Sequence, residues 1–329
     1  MPVKPKLNLE IPGVVAQLSE LLRVERKPRV HVEPQQGGCS DNVYKVTIWD
    51  RSGNSLRVVL KEVDDSRPYV FYKETLEPLE LDSPRMYGHI EADGRLLLVM
   101  EYIDHEPTTW NDEKRYELAL KWLIRKDRVI HDHFQTVAES SYMKTISIGP
   151  PFLQRVEYCL RVITDAADST LSSVLPTQFL NLLTRNESRL YELATRVSKR
   201  GRLTVAHYDL QMGNILFKSA KKKLLTFGKK KDVIYVIDWA EPKIDSVCVD
   251  LIGLVHIAPH ALRQRLVDSY RREIDFVGFG EIYRDYELLL DLSELGWMAE
   301  MMADQKQAYI NLAEFERKAK ELHHSLSNI

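Results

Sequence analysis

The sequence predicts an α+β chain in which a small β-rich lobe precedes a larger helical one. Two observations predict it. Between about residues 43 and 103, short strand-like runs rich in β-branched and apolar residues are separated by turn clusters. Beyond Thr109 apolar residues recur at helical spacing over long segments, interrupted by one β interlude. The change falls just after a crossing strand near Val99 to Ile103, so the expected lobes are residues 1–103 and 104–329.

Each element has a local reason. Val14 to Leu22 reads as a short amphipathic helix. VYKVTIWD and SLRVVLKEV flank Arg51-Ser52-Gly53-Asn54, whose small polar centre between β-branched arms predicts a hairpin. A helical stretch covers Tyr69 to Leu81, and RMYGHIEADGRLLLVMEYI folds back on itself at Ala92-Asp93-Gly94. In WNDEKRYELALKWLIRKDRVIHDHF, Leu118, Trp122, Leu123 and Ile130 stand near helical spacing. FLQRVEYCLRVITDAADSTLSSVL and TQFLNLLTRNESRLYELATRVSKR continue the helices. LTVAHYDLQMGNILFK and DVIYVIDWA form the β interlude, and helix returns after about Val249.

Composition narrows the partners. A formal net charge of -2 gives no electrostatic reason for a nucleic acid or an anionic membrane. The lysines at 221–223 and 229–231 surround a turn and read as a solvated loop. Cys39, Cys159 and Cys248 are few, distant and odd in number, which fits a reducing compartment without disulfides. No run approaches the ~18 apolar residues of a membrane span, and VIYVIDWA is cut by Asp238. The first residues lack an apolar signal-peptide core. A cytoplasmic chain is expected. His105, His131 and His133 have no convincing ligand spacing, and Met298, Met301 and Met302 near Trp297 read as a packed helix face.

The chemistry is concentrated in His207-Tyr208-Asp209-Leu210-Gln211-Met212-Gly213-Asn214, a match to H-x-D-L-x-x-x-N. Asp238 follows at the end of the apolar strand VIYVID, 24 residues beyond Asn214. Phosphoryl transfer explains the combination. A donor phosphate carries several negative charges, so the protein mainly positions groups and supplies metal. Magnesium takes hard oxygen ligands, usually one or two carboxylates with phosphate oxygens and water. Asp238 and the carbonyl of Asn214 offer such oxygens, while Asp209 can accept the proton of an attacking hydroxyl.

These residues resemble the aminoglycoside phosphotransferase and choline kinase group of the protein-kinase-like superfamily. That group usually reads H-G-D-x-x-x-x-N, with the metal aspartate in I-D-W or I-D-F. Here Ile237-Asp238-Trp239 matches, and Asp250-Leu251 resembles the D-L-A that opens a helix of the larger lobe. The resemblance covers roughly residues 30–260 and implies a protein-kinase-like two-lobe fold. It further implies ATP and Mg2+ as cofactors, Asp209 as catalytic base, and Asn214 with Asp238 as metal ligands. His207 would brace the loop, and Asp250 would hold the loop to the helix. The chain departs from the pattern at Tyr208, which stands where glycine is usual and is placed to crowd or line the acceptor site. It departs again in the basic hairpin between Asn214 and Asp238.

On the donor side, Gly37, Gly38 and Ser40 precede the strand VYKVTI and can offer backbone N–H groups to phosphates, without G-x-G-x-x-G spacing. Lys61 ends an apolar strand where the resemblance places a phosphate-contacting lysine. Glu74 is its expected partner, with Glu77 competing. Backbone groups of Glu101 to Ile103 would bond adenine. The implied reaction moves the γ-phosphate of ATP to a hydroxyl of a small molecule: an aminoglycoside-like compound, an amino alcohol or a sugar. Glu273, Asp275, Glu281, Asp285, Glu287, Asp291 and Glu294 can attract a cationic acceptor or form a solvated helix face. Two alternatives stand beside it. A protein kinase needs an activation loop, for which the stretch from Trp239 to Val249 leaves little room. A silent binding module usually loses the base, the metal aspartate or the lysine, and all three are present.

Overall fold

The strand-like runs of the first third become one antiparallel sheet in the computed structural model. That structure describes residues 12–24, 28–35, 42–145, 151–169, 177–218, 232–239, 242–303 and 312–327. The chain divides into two compact units, one of residues 1–145, 209–242 and 257–263, the other of 146–208, 243–256 and 264–329.

The first unit opens with helix α1 (Pro12–Leu21) and strand β1 (Arg29–Pro34), followed by the hairpin β2 (Val43–Trp49) and β3 (Ser55–Val63). Strands β4 (Met86–Ala92) and β5 (Arg95–Glu101) complete a five-stranded sheet in the order β1-β2-β3-β5-β4. Tyr44, Val46 and Ile48 of β2 and Val58 and Leu60 of β3 point to one face and are buried with Val14 and Leu18 of α1. Helix α1 comes so close to β4 that a Cβ on Gly88 would lie 2.6 Å from Leu21 Cδ1. Each hairpin turns as its composition predicts. Asn54 donates its backbone N–H to Asp50 at 2.8 Å, and Asp93 and Gly94 both take left-handed backbone.

Between β3 and β4 the expected helix over Tyr69 to Leu81 is shorter than predicted. A single α-helical stretch, α2 (Arg67–Phe71), runs into a π-helical turn, Tyr72–Leu76. The wider turn buries Tyr72, Thr75 and Leu76 together. After an extended linker comes α3 (Glu113–Asp132), capped by Asp112, whose side chain accepts from the N–H groups of Lys114 and Arg115. Short helices α4 (Phe134–Ala138) and α5 (Ser141–Thr145) follow.

In the second unit, α6 (Pro151–Ser169) and α7 (Thr177–Arg200) lead to β6 (Leu203–Ala206). The chain then enters the first unit to form the hairpin β7 (Ile215–Lys218) and β8 (Val233–Val236). It returns as β9 (Lys243–Ser246), antiparallel to β6, and α8 (Cys248–His256). Helix α9 (His260–Glu273), whose residues 260–263 belong to the first unit, precedes α10 (Phe279–Ala303) and α11 (Leu312–Ser327), which complete the second. Helix α10 meets α6 at Gly296, where a Cβ would lie 2.6 Å from Cys159 Sγ. Among the described residues, no helix is long and apolar enough to cross a membrane.

Candidate active site

The motif 207–214 is a loop closed on itself. After β6 the chain passes through His207, Tyr208 and Asp209 into a single 3-10 turn, Met212–Asn214, and then into β7. The side-chain amide of Asn214 donates to Asp209 Oδ2 at 2.7 Å and to the Asp209 carbonyl at 2.9 Å. Both partners are acceptors, so the Asn214 nitrogen faces Asp209 and its carbonyl oxygen points elsewhere. Gln211 Nε2 donates to Asp209 Oδ1 at 2.9 Å. The Asp209 carboxylate is thereby held from two sides.

The same unit brings two more of the expected residues, Asp238 and Lys61, to this loop. Ile237 N–H donates to the main-chain carbonyl of Asn214 at 3.0 Å, which ties the loop to the segment leaving β8. Asp238 comes next, in left-handed backbone at φ 65°. A non-glycine residue held there costs about 1–3 kcal/mol, a burden that clusters at functional sites. Lys61 reaches it from β3 and pairs its ammonium with the Asp238 carboxylate. Register fixes that lysine, since Lys61 lies opposite Val43 of β2 and Leu98 of β5. The phenol of buried Tyr72 is pushed up by burial and by the charge of Asp238. A run of aromatic rings, Trp122, Trp239, Phe71 and Tyr142, packs beside this segment with centroids 5.1–6.2 Å apart.

In the second unit, two buried carboxylates grip the start of the loop. Asp250, in the first turn of α8, accepts the His207 N–H at 2.8 Å and the Tyr208 N–H at 3.1 Å. Asp245, on β9, accepts from the hydroxyls of Tyr208 and Tyr286 and from the Ser246 N–H at 2.7 Å. Burial pushes the Asp245 carboxyl up, while the two hydroxyls pull it down. Tyr208 takes φ 67°, which accounts physically for a glycine at this position in the similar motif. Its hydroxyl is directed onto Asp245.

The Lys61–Glu74 pairing does not form. Glu74 stands in the π-helical turn and accepts from Ser141 N–H at 2.9 Å and from Ser141 Oγ at 2.7 Å, which holds its carboxyl below the usual range. Glu77, the competing choice, pairs with Lys73 one turn back at 2.6 Å. Glu101 ends β5, its N–H donating to the Arg85 carbonyl at 2.8 Å. Ile103 is buried at the start of the linker, and its N–H has no backbone partner among the described residues. Gly37, Gly38 and Ser40, Cys39 and the lysines at 221–223 and 229–231 lie outside the described residues.

The acidic segment of α9 and α10 is largely neutralised within its own unit. Asp275 pairs with Arg271, and Asp285 accepts from Arg196 at 2.7 Å. Lys318 lies 2.6 Å from Glu294 and 3.9 Å from Asp291. His256, Asp291 and Glu294 are near enough to share a cation, but the Lys318 ammonium already stands at both carboxylates. Burial raises the Asp291 carboxyl to about 7. Sequence reasoning missed Asp245, Tyr286, Gln211 and Ser141. Only Gln211 carried a signal, its place inside the motif.

The five-stranded antiparallel sheet followed by a helical lobe is the two-lobe α+β fold of protein-kinase-like enzymes. Solved structures sharing it include choline kinase from Cryptosporidium parvum, with a TM-score of 0.58 and 12% identity over 91% of this chain and 89% of that one. The gentamicin-APH(2")-IIa complex gives 0.56 and 14%, over 97% of each chain. The amicoumacin kinase hAmiN, in complex with AMP-PNP, Ca2+ and Ami, gives 0.52 and 14%, over 89% and 88%. No family model and no curated protein matches this chain.

Proposed function

We propose that the chain is an ATP-dependent phosphotransferase acting on a hydroxyl of a small molecule, with Asp209 as its base. One observation carries the reading. Asp209, Asn214, Asp238 and Lys61, four residues of the kinds phosphoryl transfer uses, are linked in one unit by the loop's own bonds and one ion pair. The shared fold supports it, and the similar structures include a choline kinase, an amicoumacin kinase and a complex with gentamicin.

The residues fit a magnesium ion by their chemistry. Asp238 already attracts a cation, the Lys61 ammonium, and Asn214 turns its carbonyl oxygen away from Asp209. Both are hard oxygen donors of the kind magnesium takes. Bound there, the ion would neutralise charge developing on the transferred phosphoryl group. Lys61 would then exchange its carboxylate partner for donor phosphate. Glu101 and Ile103 present main-chain groups for the base, and Gly37, Gly38 and Ser40 would complete the phosphate side. In the transfer, the acceptor oxygen bonds to the γ-phosphorus as the bond to the β,γ-bridging oxygen breaks. The hydroxyl proton passes to Asp209, and ADP leaves. Gln211 and Asn214 keep the Asp209 carboxylate in a single orientation for that proton. Amino alcohols, aminoglycoside-like compounds and sugars are the acceptor classes.

The test is magnesium-dependent ATP consumption over a panel of aminoglycosides, amino alcohols and sugars, with Asp209→Asn alongside. Acceptor-dependent turnover should fall about 10²–10⁴-fold in the variant. Turnover that survives Asp209→Asn removes Asp209 as base. Nucleotide binding with no turnover on any acceptor favours a silent module.

A further inference from the structure

We propose that Tyr208 is a positioning residue for Asp209, its phenol anchored on the buried Asp245 that it shares with Tyr286 of α10. The inference rests on the phosphotransferase reading and assigns the reason a tyrosine stands in the loop.

The argument begins with the backbone. Tyr208 is held at φ 67°, a conformation that glycine enters freely and a side chain resists. Something must hold it there, and the structure shows what does. Asp250 takes the N–H groups of His207 and Tyr208, fixing the chain before the torsion. Asp245 takes the Tyr208 hydroxyl, fixing the far end of the same residue. Asp245 is 2% exposed and its remaining donors are Tyr286 and the Ser246 N–H, so it has little freedom to follow a moving loop. The Lys243 ammonium lies 5.4 Å from the centre of the Tyr208 ring and adds a contact on its face. With both ends of Tyr208 held, its torsion is determined, and that torsion sets the direction in which the chain continues into Asp209. A glycine reaches the same torsion without an anchor, whereas this chain uses a phenol and two buried carboxylates.

Packing and torsional positioning predict opposite orders for two variants. Tyr208→Phe keeps the ring and loses the anchor. Tyr208→Gly loses both but enters the left-handed region without strain. If Tyr208 acts by holding the torsion, Tyr208→Phe lowers kcat about 10-fold with the nucleotide KM changed by less than about twofold. Tyr208→Gly then recovers part of that loss. If the ring merely fills space, Tyr208→Gly is the slower of the two, and that order overturns the proposal. Amide hydrogen exchange at His207 and Tyr208 reads the anchor without any acceptor. Exchange accelerated about tenfold or more in Tyr208→Phe is expected, and unchanged exchange overturns the anchor even if turnover falls. Wild-type protein with no turnover on any acceptor refutes the phosphotransferase reading and the catalytic half of this proposal, while the exchange result still decides the anchor.

Discussion

Removing the Asp250 carboxylate should loosen the start of the loop more than any other single truncation in the second unit. Asp250 is 1% exposed and accepts two main-chain N–H groups, those of His207 and Tyr208. Asp250→Ala leaves both donors buried without that acceptor, and each orphaned group costs about 1–3 kcal/mol. The two together amount to roughly 2–6 kcal/mol. Both N–H groups bond Oδ1, and the His207 N–H also reaches Oδ2 at 2.9 Å, so Asp250→Asn with its carbonyl at Oδ1 keeps an acceptor for both, sets an NH2 against the His207 N–H, and should cost less than Asp250→Ala. In a chain of two units, the measurement is the melting transition that reports the second unit, followed by calorimetry. A loss of that size lowers the midpoint by on the order of 10 °C. The His207 and Tyr208 amides, read by hydrogen exchange, should lose protection in the same order, Ala before Asn. A shift under about 2 °C for Asp250→Ala would show that the loop amides find other acceptors and that Asp250 does not hold them.

Two further outcomes follow from packing and charge. Gly296→Ala puts a methyl group 2.6 Å from Cys159 Sγ and 3.0 Å from its Cα, so α6 and α10 must part; the cost is about 1–3 kcal/mol, read as a lower melting temperature that Cys159→Ala partly restores. Asp291, raised by burial to about 7 from an ordinary 3.8, with Glu287, Glu294 and Glu321 adding to the rise, binds its proton more tightly folded than unfolded. Its contribution to stability is therefore present below pH 4 and lost as pH rises through about 7, up to about 4 kcal/mol across that window. Thermal melts from pH 4.5 to 8 should fall less steeply in Asp291→Asn than in wild type, and parallel curves would contradict the assignment.

What was legible in the sequence was local. Asp209 and Asn214 lie five residues apart and bond within their own loop, so the motif specifies both residues and their contact. Strands β2 to β5 announced themselves by β-branched or apolar runs bounded by turns whose residues tolerate left-handed backbone. β1 did not, because Arg29–Pro34 is an edge strand whose side chains are half exposed or exposed. β9 escaped because Lys243-Ile244-Asp245-Ser246 holds a single apolar residue, unlike the equally short but mostly apolar β6, β7 and β8. Pairings across long separations were the hardest. Glu74 chose Ser141, 67 residues away, over Lys61, and nothing near Glu74 encodes that choice. Asp245 and Tyr286, 41 residues apart, meet only because β9 and α10 fold together.

The two left-handed non-glycine residues beside the motif also bear on how the site is built. Tyr208 immediately precedes Asp209, and the other, Asp238, is itself the expected metal ligand. Left to itself, each would relax to an ordinary torsion and turn its carboxylate, or its neighbour's, to a new direction. Each is held by interactions with residues distant in sequence: Tyr208 by Asp245 and Asp250, Asp238 by the Lys61 pair beside the bonded Ile237. The consequence is an asymmetry. The Tyr208 restraint is buried and neutral in its donors, so it persists whatever binds. The Asp238 restraint is an ion pair with side chains 20% and 37% exposed, which a divalent cation and a phosphate can take over from both sides. On the proposed reading, folding alone would orient Asp209, and donor binding would complete the side formed by Asp238 and Lys61.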